Sequence, residues 1–382
     1  MEKKFDINEA RAKATFIELV SVPCPSGDEK EEADLLVKKL TEMGLEVKVD
    51  EAGKKCGGTT GNVWGFLPGN VEGATRLFFE AHMDSVAPTT GTKVVCKDGI
   101  MYSDGTTTLG GDDKVGIVAG LEAVQTIIEN DIPHGDVQLC FTIGEETGSN
   151  GVRFMDPSWI KADAGYSLDC GGKPGMIFNA SPKAMDLYFT IKGKSAHAGL
   201  EPEKGVNAIM LAVKALAKLP NYGRLDETTT MSIDLINGGL ASNIVPEECT
   251  FVVDMRCPEV EKLEKLKNEL IATVKETVEA GGGQMEVREE GVAPAVFLRE
   301  DEPAVKMAAD AAKKCGFEVK YQFTGGCSDA NHLCGMGLPS VMLATGMDKI
   351  HTTKEQLAEV DLYDTCRWTL AIIQEAAATK RA

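Results

Sequence analysis

The sequence predicts an α/β protein: a mixed sheet layered with helices and interrupted by an inserted ferredoxin-like α+β unit. Three observations predict it. Apolar runs of strand length alternate with helical periodicity along residues 1–180, the pattern of a sheet covered by helices. Near Ser181 the pattern switches to strict alternation, as in MDLYFTIKG, which implies a sheet with one exposed face. The order there is strand, helix, strand, strand, helix, strand, the ferredoxin-like arrangement. The α/β pattern then resumes. Residues 1–180 and 292–382 therefore read as one discontinuous domain, and 181–291 as a domain inserted into it. A chain of 382 residues with 43% apolar content can fill two cores.

The elements follow in order. Residues 7–20 and 28–43 carry helical periodicity; the second helix follows the turn Pro25-Ser26-Gly27 and stops at Gly44. Strand-like runs occupy 45–49, 62–66 and 76–82. A long apolar helix at about 114–129 ends near Asn130, and DVQLCFTIG (136–144) and AGYSLD (164–169) read as buried strands. In the inserted domain a strand opens at MDLYFTIKG. A helix spans 205–219, strands span 229–236 and 249–256, and an amphipathic helix at 258–280 stops at Gly281-Gly282-Gly283, before a strand at 284–289. A helix at 301–315, strands at 318–323 and 340–345 and a final helix at 354–378 complete the chain.

Composition excludes several function classes. The 40 Lys+Arg against 59 Asp+Glu give a net charge of −19. Nucleic acid and anionic membranes reward clustered Lys and Arg, so neither is expected as a partner. The eleven cysteines are scattered from Cys24 to Cys366 with no C-x-x-C pair, which argues against a thiolate zinc site or a thioredoxin-type motif. The first residues lack an apolar signal core, and no apolar run approaches a membrane span. A reducing cytoplasm is the expected compartment.

Acid and imidazole residues recur at strand ends and helix starts. They are His82 and Asp84 in FFEAHMDSV, Asp112 and Asp113 in LGGDDKVG, Glu145 and Glu146 in TIGEETGS, Asp169 in SLDCGG, and His351 in KIHTT. Positions i and i+2 of a strand share a face, which sets His82 beside Asp84. Open α/β sheets bind ligands at such strand ends. Mixed imidazoles and carboxylates suit Zn²⁺, Mn²⁺ or Co²⁺, and the set is large enough for two ions sharing a water, roughly 3.5–4 Å apart. Of the adjacent Glu145 and Glu146, one can bind metal while the other stays free as a general base. Each group also has a plainer reading. His82 could be a buried histidine bonded to a neighbouring acid, Asp113 a helix N-cap, Glu145-Glu146 a solvated loop after a strand, Asp169 a turn residue and His351 a loop histidine; in the inserted domain Arg256 could pair with Asp254, and His197 could be a surface histidine. His134, between Pro133 and Gly135, reads as an exposed turn. The metal reading gains from the joint occurrence of all five groups.

HMD, GGDDKVG, GEETG, SLD and IHTT, in this order, resemble the co-catalytic zinc aminoacylase and carboxypeptidase superfamily, clan MH, family M20, and within it the peptidase T branch. The resemblance spans nearly the whole chain. It implies a mixed-sheet zinc-exopeptidase catalytic domain carrying an inserted lid that forms a homodimer. His82 and Asp169 would bind one metal and Glu146 and His351 the other, with Asp112 bridging both across a cis Asp112–Asp113 peptide. Asp84 would orient His82, and Glu145 would be the general base. In the lid, His197 of GKSAHAG matches a residue that stabilises an oxyanion, while Asn243 of SNIVPEE and Arg256 of DMR match residues that hold substrate.

The activity implied is hydrolysis of short peptides by a water bridging two divalent ions, Zn²⁺ above Mn²⁺ or Co²⁺, as a tripeptide aminopeptidase. A dipeptidase, carboxypeptidase or N-acyl amino acid deacylase on the same scaffold is the alternative. A non-catalytic binding protein of the same fold is disfavoured, because Glu145 and the ligand set are all present.

Overall fold

The computed structural model describes residues 6–219 and 221–380. The chain divides into two compact units. The first runs up to Ala180 and resumes over Leu298–Phe323 and from Ser328 onward; the second comprises Ser181–Phe297 with Thr324–Cys327. Six strands of the large sheet come before the insertion: β1 (Glu46–Val49), β2 (Val63–Leu67), β3 (Leu77–His82), β4 (Val137–Thr142), β5 (Ala164–Cys170) and β6 (Met176–Ser181). The insertion holds β7 (Lys183–Lys192), β8 (Thr230–Gly238), β9 (Glu248–Cys257) and β10 (Gln284–Ala293). β11 (Lys320–Phe323) and β12 (Ser340–Ala344) return to the first unit.

In the first unit the sheet order is β1-β2-β4-β3-β5-β12-β6, with β11 beside β6. β3 is parallel to β4 and β5, and β12 is parallel to β5 but antiparallel to β6, so the sheet is mixed. All six residues of β3 and of β4 are buried, as central strands covered on both faces require. Their register sets His82 opposite Thr142, so the two strands end together. The helix Gly111–Asn130 packs on β3 and against the last helix, Glu359–Ala378. Its regular turns begin after Asp113, whose Oδ1 accepts from Gly116 N at 3.2 Å. Asp113 therefore caps the helix, and Asp112 stands just outside it.

The last helix and His134 depart from the sequence reading. The last helix starts at Glu359, not at 354, because Gln356–Ala358 pairs with Ile100–Tyr102 in a small four-stranded sheet. His134 is buried, with Nδ1 2.7 Å from the Gly135 carbonyl.

In the inserted unit the strand order is β8-β9-β7-β10, all antiparallel, with Gly223–Arg224 added beside β8. With helices Ala208–Leu216 and Val260–Ala280 between strands, this is the ferredoxin-like order. Met185, Leu187, Phe189 and Ile191 of β7 are buried while Asp186, Tyr188 and Thr190 between them are only half-buried. Phe189 stacks on Phe251 with centroids 4.7 Å apart. The unit extends beyond the expected 291 because β10 runs past a register shift at Gly291 to Ala293. Cys327 joins it by donating its thiol to the Pro182 carbonyl at 3.5 Å.

Candidate metal centre

The ends of β3, β4 and β5 gather three of the motifs. His82 closes β3, Glu145 and Glu146 follow β4 after Gly144 in the left-handed region (φ +59°), and Asp169 lies at the end of β5. Asp112 comes from the turn before its helix, across a cis bond to Asp113. His351 comes from the loop between Met347–Asp348 and Gln356–Ala358, itself at φ +61°. All five expected ligands meet. Nε2 of His82 is 3.0 Å from Asp112 Oδ1 and 3.7 Å from Asp169 Oδ1; Nε2 of His351 is 3.1 Å from Asp112 Oδ2 and 3.0 Å from Glu146 Oε2. Asp112 thus turns one oxygen to each histidine. The ligand atoms of His82, Asp112 and Glu146 lie within 4.8 Å of one another, as do those of His82, Glu145 and Asp169.

The donor set fits cations. Nδ1 of His82 is 2.8 Å from the Asp84 carbonyl, which can only accept, so Nδ1 carries the proton. When the ring is neutral, Nε2 then presents a lone pair to two carboxylate oxygens. Lone pairs at these distances repel unless a proton or a cation lies among them. Glu146 Oε1 is moreover buried without a hydrogen-bond partner. An imidazole nitrogen with carboxylate oxygens on each side of Asp112 is a set suited to Zn²⁺, Mn²⁺ or Co²⁺.

The electrostatics point the same way. Burial disfavours a charged His82, yet its contacts with Asp112, Asp169 and Asp84 outweigh it and hold the ring well above its ordinary pKa. Contacts with Asp112 and Glu146 push His351 up to about 10. Burial raises Asp112 too, but the two histidines prevail and keep it below the usual carboxylate range. Burial pushes Asp169 up to about 7, and lifts Glu145 well above the ordinary range, with Asp169 adding to it. The cluster favours added positive charge.

Asp84 does more than the sequence suggested. Its main-chain carbonyl is nearer to the His82 ring than its carboxylate, which is 3.5 Å from Nδ1. The carboxylate accepts from Glu145 N (3.0 Å), Glu146 N (3.2 Å) and Ser26 Oγ (2.6 Å), and so sets the turn that aims both glutamates. Ser26, Glu355, Lys114 and Glu32 escaped the sequence reading. Only the turn Pro25-Ser26-Gly27 gave any signal there.

His197, Asn243 and Arg256 lie in the inserted unit. His197 pairs with Ile244 in an isolated bridge, and Ala198 N donates to Asn243 O at 2.9 Å, which joins the two loops. Nδ1 of His197 accepts from Gly199 N and Leu200 N, both at 3.2 Å, so Nε2 carries the ring proton as a donor. Both His197 and Asn243 are exposed. Arg256 Nε donates to Asp254 at 3.0 Å and Nη1 to Gly325 O at 3.4 Å. The plainer reading of Arg256 thus describes a contact that exists.

Residues 179–281 match the family described as "Peptidase dimerisation domain" (M20_dimer). The chain is 39% identical over 371 residues to the uncharacterized protein YqjE of Bacillus subtilis, covering 97% of this chain and 100% of that relative. It resembles the crystal structure of aminopeptidase PepT from Bacillus cereus, with 38% identity, TM-score 0.90 and coverage of 97% of this chain and 99% of that one. It also resembles a tripeptidase from Staphylococcus aureus, with 35% identity, TM-score 0.93 and coverage of 98% and 100%.

Proposed function

Because this chain belongs to the M20 family of metallopeptidases, in its peptidase T branch, we propose that it releases the N-terminal residue of short peptides, tripeptides foremost. The observation that carries this reading is the meeting of His82, Asp112, Asp169, Glu146 and His351 around Glu145. His82 and Asp169 would hold one divalent ion and Glu146 and His351 another, with Asp112 shared. Two such ions, Zn²⁺ foremost and Mn²⁺ or Co²⁺ as substitutes, supply Lewis acidity that polarises the peptide carbonyl and acidifies water.

The residues do the rest. Asp84 fixes the His82 tautomer through its carbonyl and the Glu145–Glu146 turn through its carboxylate. The Glu145 carboxylate takes a proton from the attacking water and passes it to the amine that leaves as the C–N bond breaks. Burial raises its basicity, and Ser149 Oγ, 3.4 Å from Oε1, steadies it. The His197 Nε2–H donates to the oxygen that becomes negative in the tetrahedral state. Arg256 meets the peptide's carboxylate with its planar fork, and Asn243 donates beside it.

The inserted unit is the homodimerisation surface in this reading. β8 leaves much of its edge open with Leu235 and Ile236 exposed, and Leu240, Met210 and Val213 are exposed in the same unit. Open apolar edges of this kind are normally covered. Among the described residues no helix is long and apolar enough to cross a membrane. The eleven cysteines are free, which supports a cytoplasmic protein.

Metal content per chain, with activity before and after chelation, tests the site. Two ions per chain and activity restored by Zn²⁺, Mn²⁺ or Co²⁺ are expected. A panel of free tripeptides, N-blocked peptides and acyl-amino acids tests the specificity. Preference for blocked substrates would replace the aminopeptidase reading by the deacylase or carboxypeptidase one.

A further inference from the structure

Asp112 lies between the two histidines, and its turn is held from two sides by buried groups. On one side is Glu355, 2% exposed, on the hairpin that carries His351. Its Oε1 accepts from Asp112 N at 3.0 Å and its Oε2 from Gly110 N at 2.9 Å. A Cβ on Gly111 would come within 3.0 Å of Oε1, so the glycine leaves room for this carboxylate. On the other side is Lys114, 1% exposed. Its ammonium donates to the Met83 carbonyl, between His82 and Asp84, and to Ser85 Oγ at 3.3 Å. Ser85 Oγ in turn donates to the Asp112 carbonyl at 3.2 Å. Glu32 Oε2, 3.0 Å away and fully buried, neutralises the ammonium.

We infer that Glu355 and Lys114 are positioning residues that set the two halves of the metal pair separately. Glu355 ties the Asp112 turn to the His351 hairpin, and Lys114 ties it to the strand end bearing His82. The inference rests on the two-ion reading above and adds a division of labour to it. Stability alone does not account for the Lys114–Glu32 pair, since a buried ion pair is often no more stabilising than apolar residues of equal volume. Fixing the main chain around His82 and Asp112 gives the buried ammonium a purpose. Groups that orient metal ligands typically change metal affinity by about 10–100-fold when removed.

Zn²⁺ competition against a chromophoric chelator, followed at equilibrium, resolves the two dissociation steps. His82→Ala and His351→Ala assign each step to its half. Glu355→Ala is expected to weaken the His351 step by about 10–100-fold and leave the His82 step in place. Lys114→Met, made with Glu32→Gln so that no lone charge is buried, is expected to do the reverse. Equal weakening of both steps by either variant, or weakening of the same step by both, overturns the inference. Fewer than two Zn²⁺ ions on the wild-type chain overturns the two-ion reading itself. If either severe variant fails to fold by circular dichroism, Glu355→Gln and Ser85→Ala take its place, with smaller shifts and the same opposite split expected.

Discussion

In the first unit most of the candidate metal-site groups are sunk at strand ends or a helix start, while His351 reaches them from an exposed loop. His82, Asp84 and Asp112 are all at most 5% exposed, and each is bonded to main-chain groups and to side chains of the same cluster. In the inserted unit His197 and Asn243 stand exposed on loops, and Arg256 is half-buried on a strand. The contrast separates two tasks. Desolvated, mutually bonded groups keep a fixed geometry and shifted protonation, which a metal site needs. The exposed His197 and Asn243 stand on loops where a ligand can reach them, whereas Arg256 is already bonded to Asp254 and Gly325.

Four substitutions can break this division. The largest effect is expected from Glu145→Gln: turnover should fall by about 10²–10⁴-fold while metal content stays at the wild-type value, and retained turnover would remove Glu145 from the mechanism. His197→Ala should lower kcat by about 10²–10³-fold, the effect of losing an oxyanion donor. Zn²⁺ affinity should not move; if it did, the separation of tasks between the units would be wrong. Asp84→Ala frees the Glu145 and Glu146 amides and should weaken Zn²⁺ binding by about 10–100-fold, measured by chelator competition. The smallest effect belongs to Arg256→Ala. Loss of a charged hydrogen bond worth roughly 1.5–3 kcal/mol should raise KM by at least about tenfold, with kcat nearly constant. A fall in kcat at constant KM would instead place Arg256 at the reacting bond.

The same contrast explains what could be read in the sequence. The period of a strand put His82 and Asp84 on one face, and the apolar run before them said that the face is buried. Period cannot name partners, so the bonds from the Asp84 carboxylate to Glu145 and Glu146 came only with the fold. Glu355 left no trace, because the strands on either side of its loop are two and three residues long, too short to show a period. Lys114 sits in LGGDDKVG at a helix start, and nothing in that run tells that its ammonium reaches Met83 and Glu32. His134 was misjudged because its neighbours Pro133 and Gly135 signal a surface turn, whereas its ring lies buried against the Gly135 carbonyl. In the inserted unit Phe189 and Phe251 followed from alternation, but the Nε2 proton of His197 depends on two backbone amides that only the folded loop supplies.

β12 enters the sheet between β5 and β6, although residues 182–339 separate it from the nearer of them. A ribosome releases Ser181–Phe297 as an almost unbroken stretch well before β12 and His351 appear. Domains generally fold as units during synthesis, so the inserted part can mature while its host still lacks an inner strand. The metal centre of the reading above therefore cannot be complete until β12 and the loop of His351 have joined the sheet of their host.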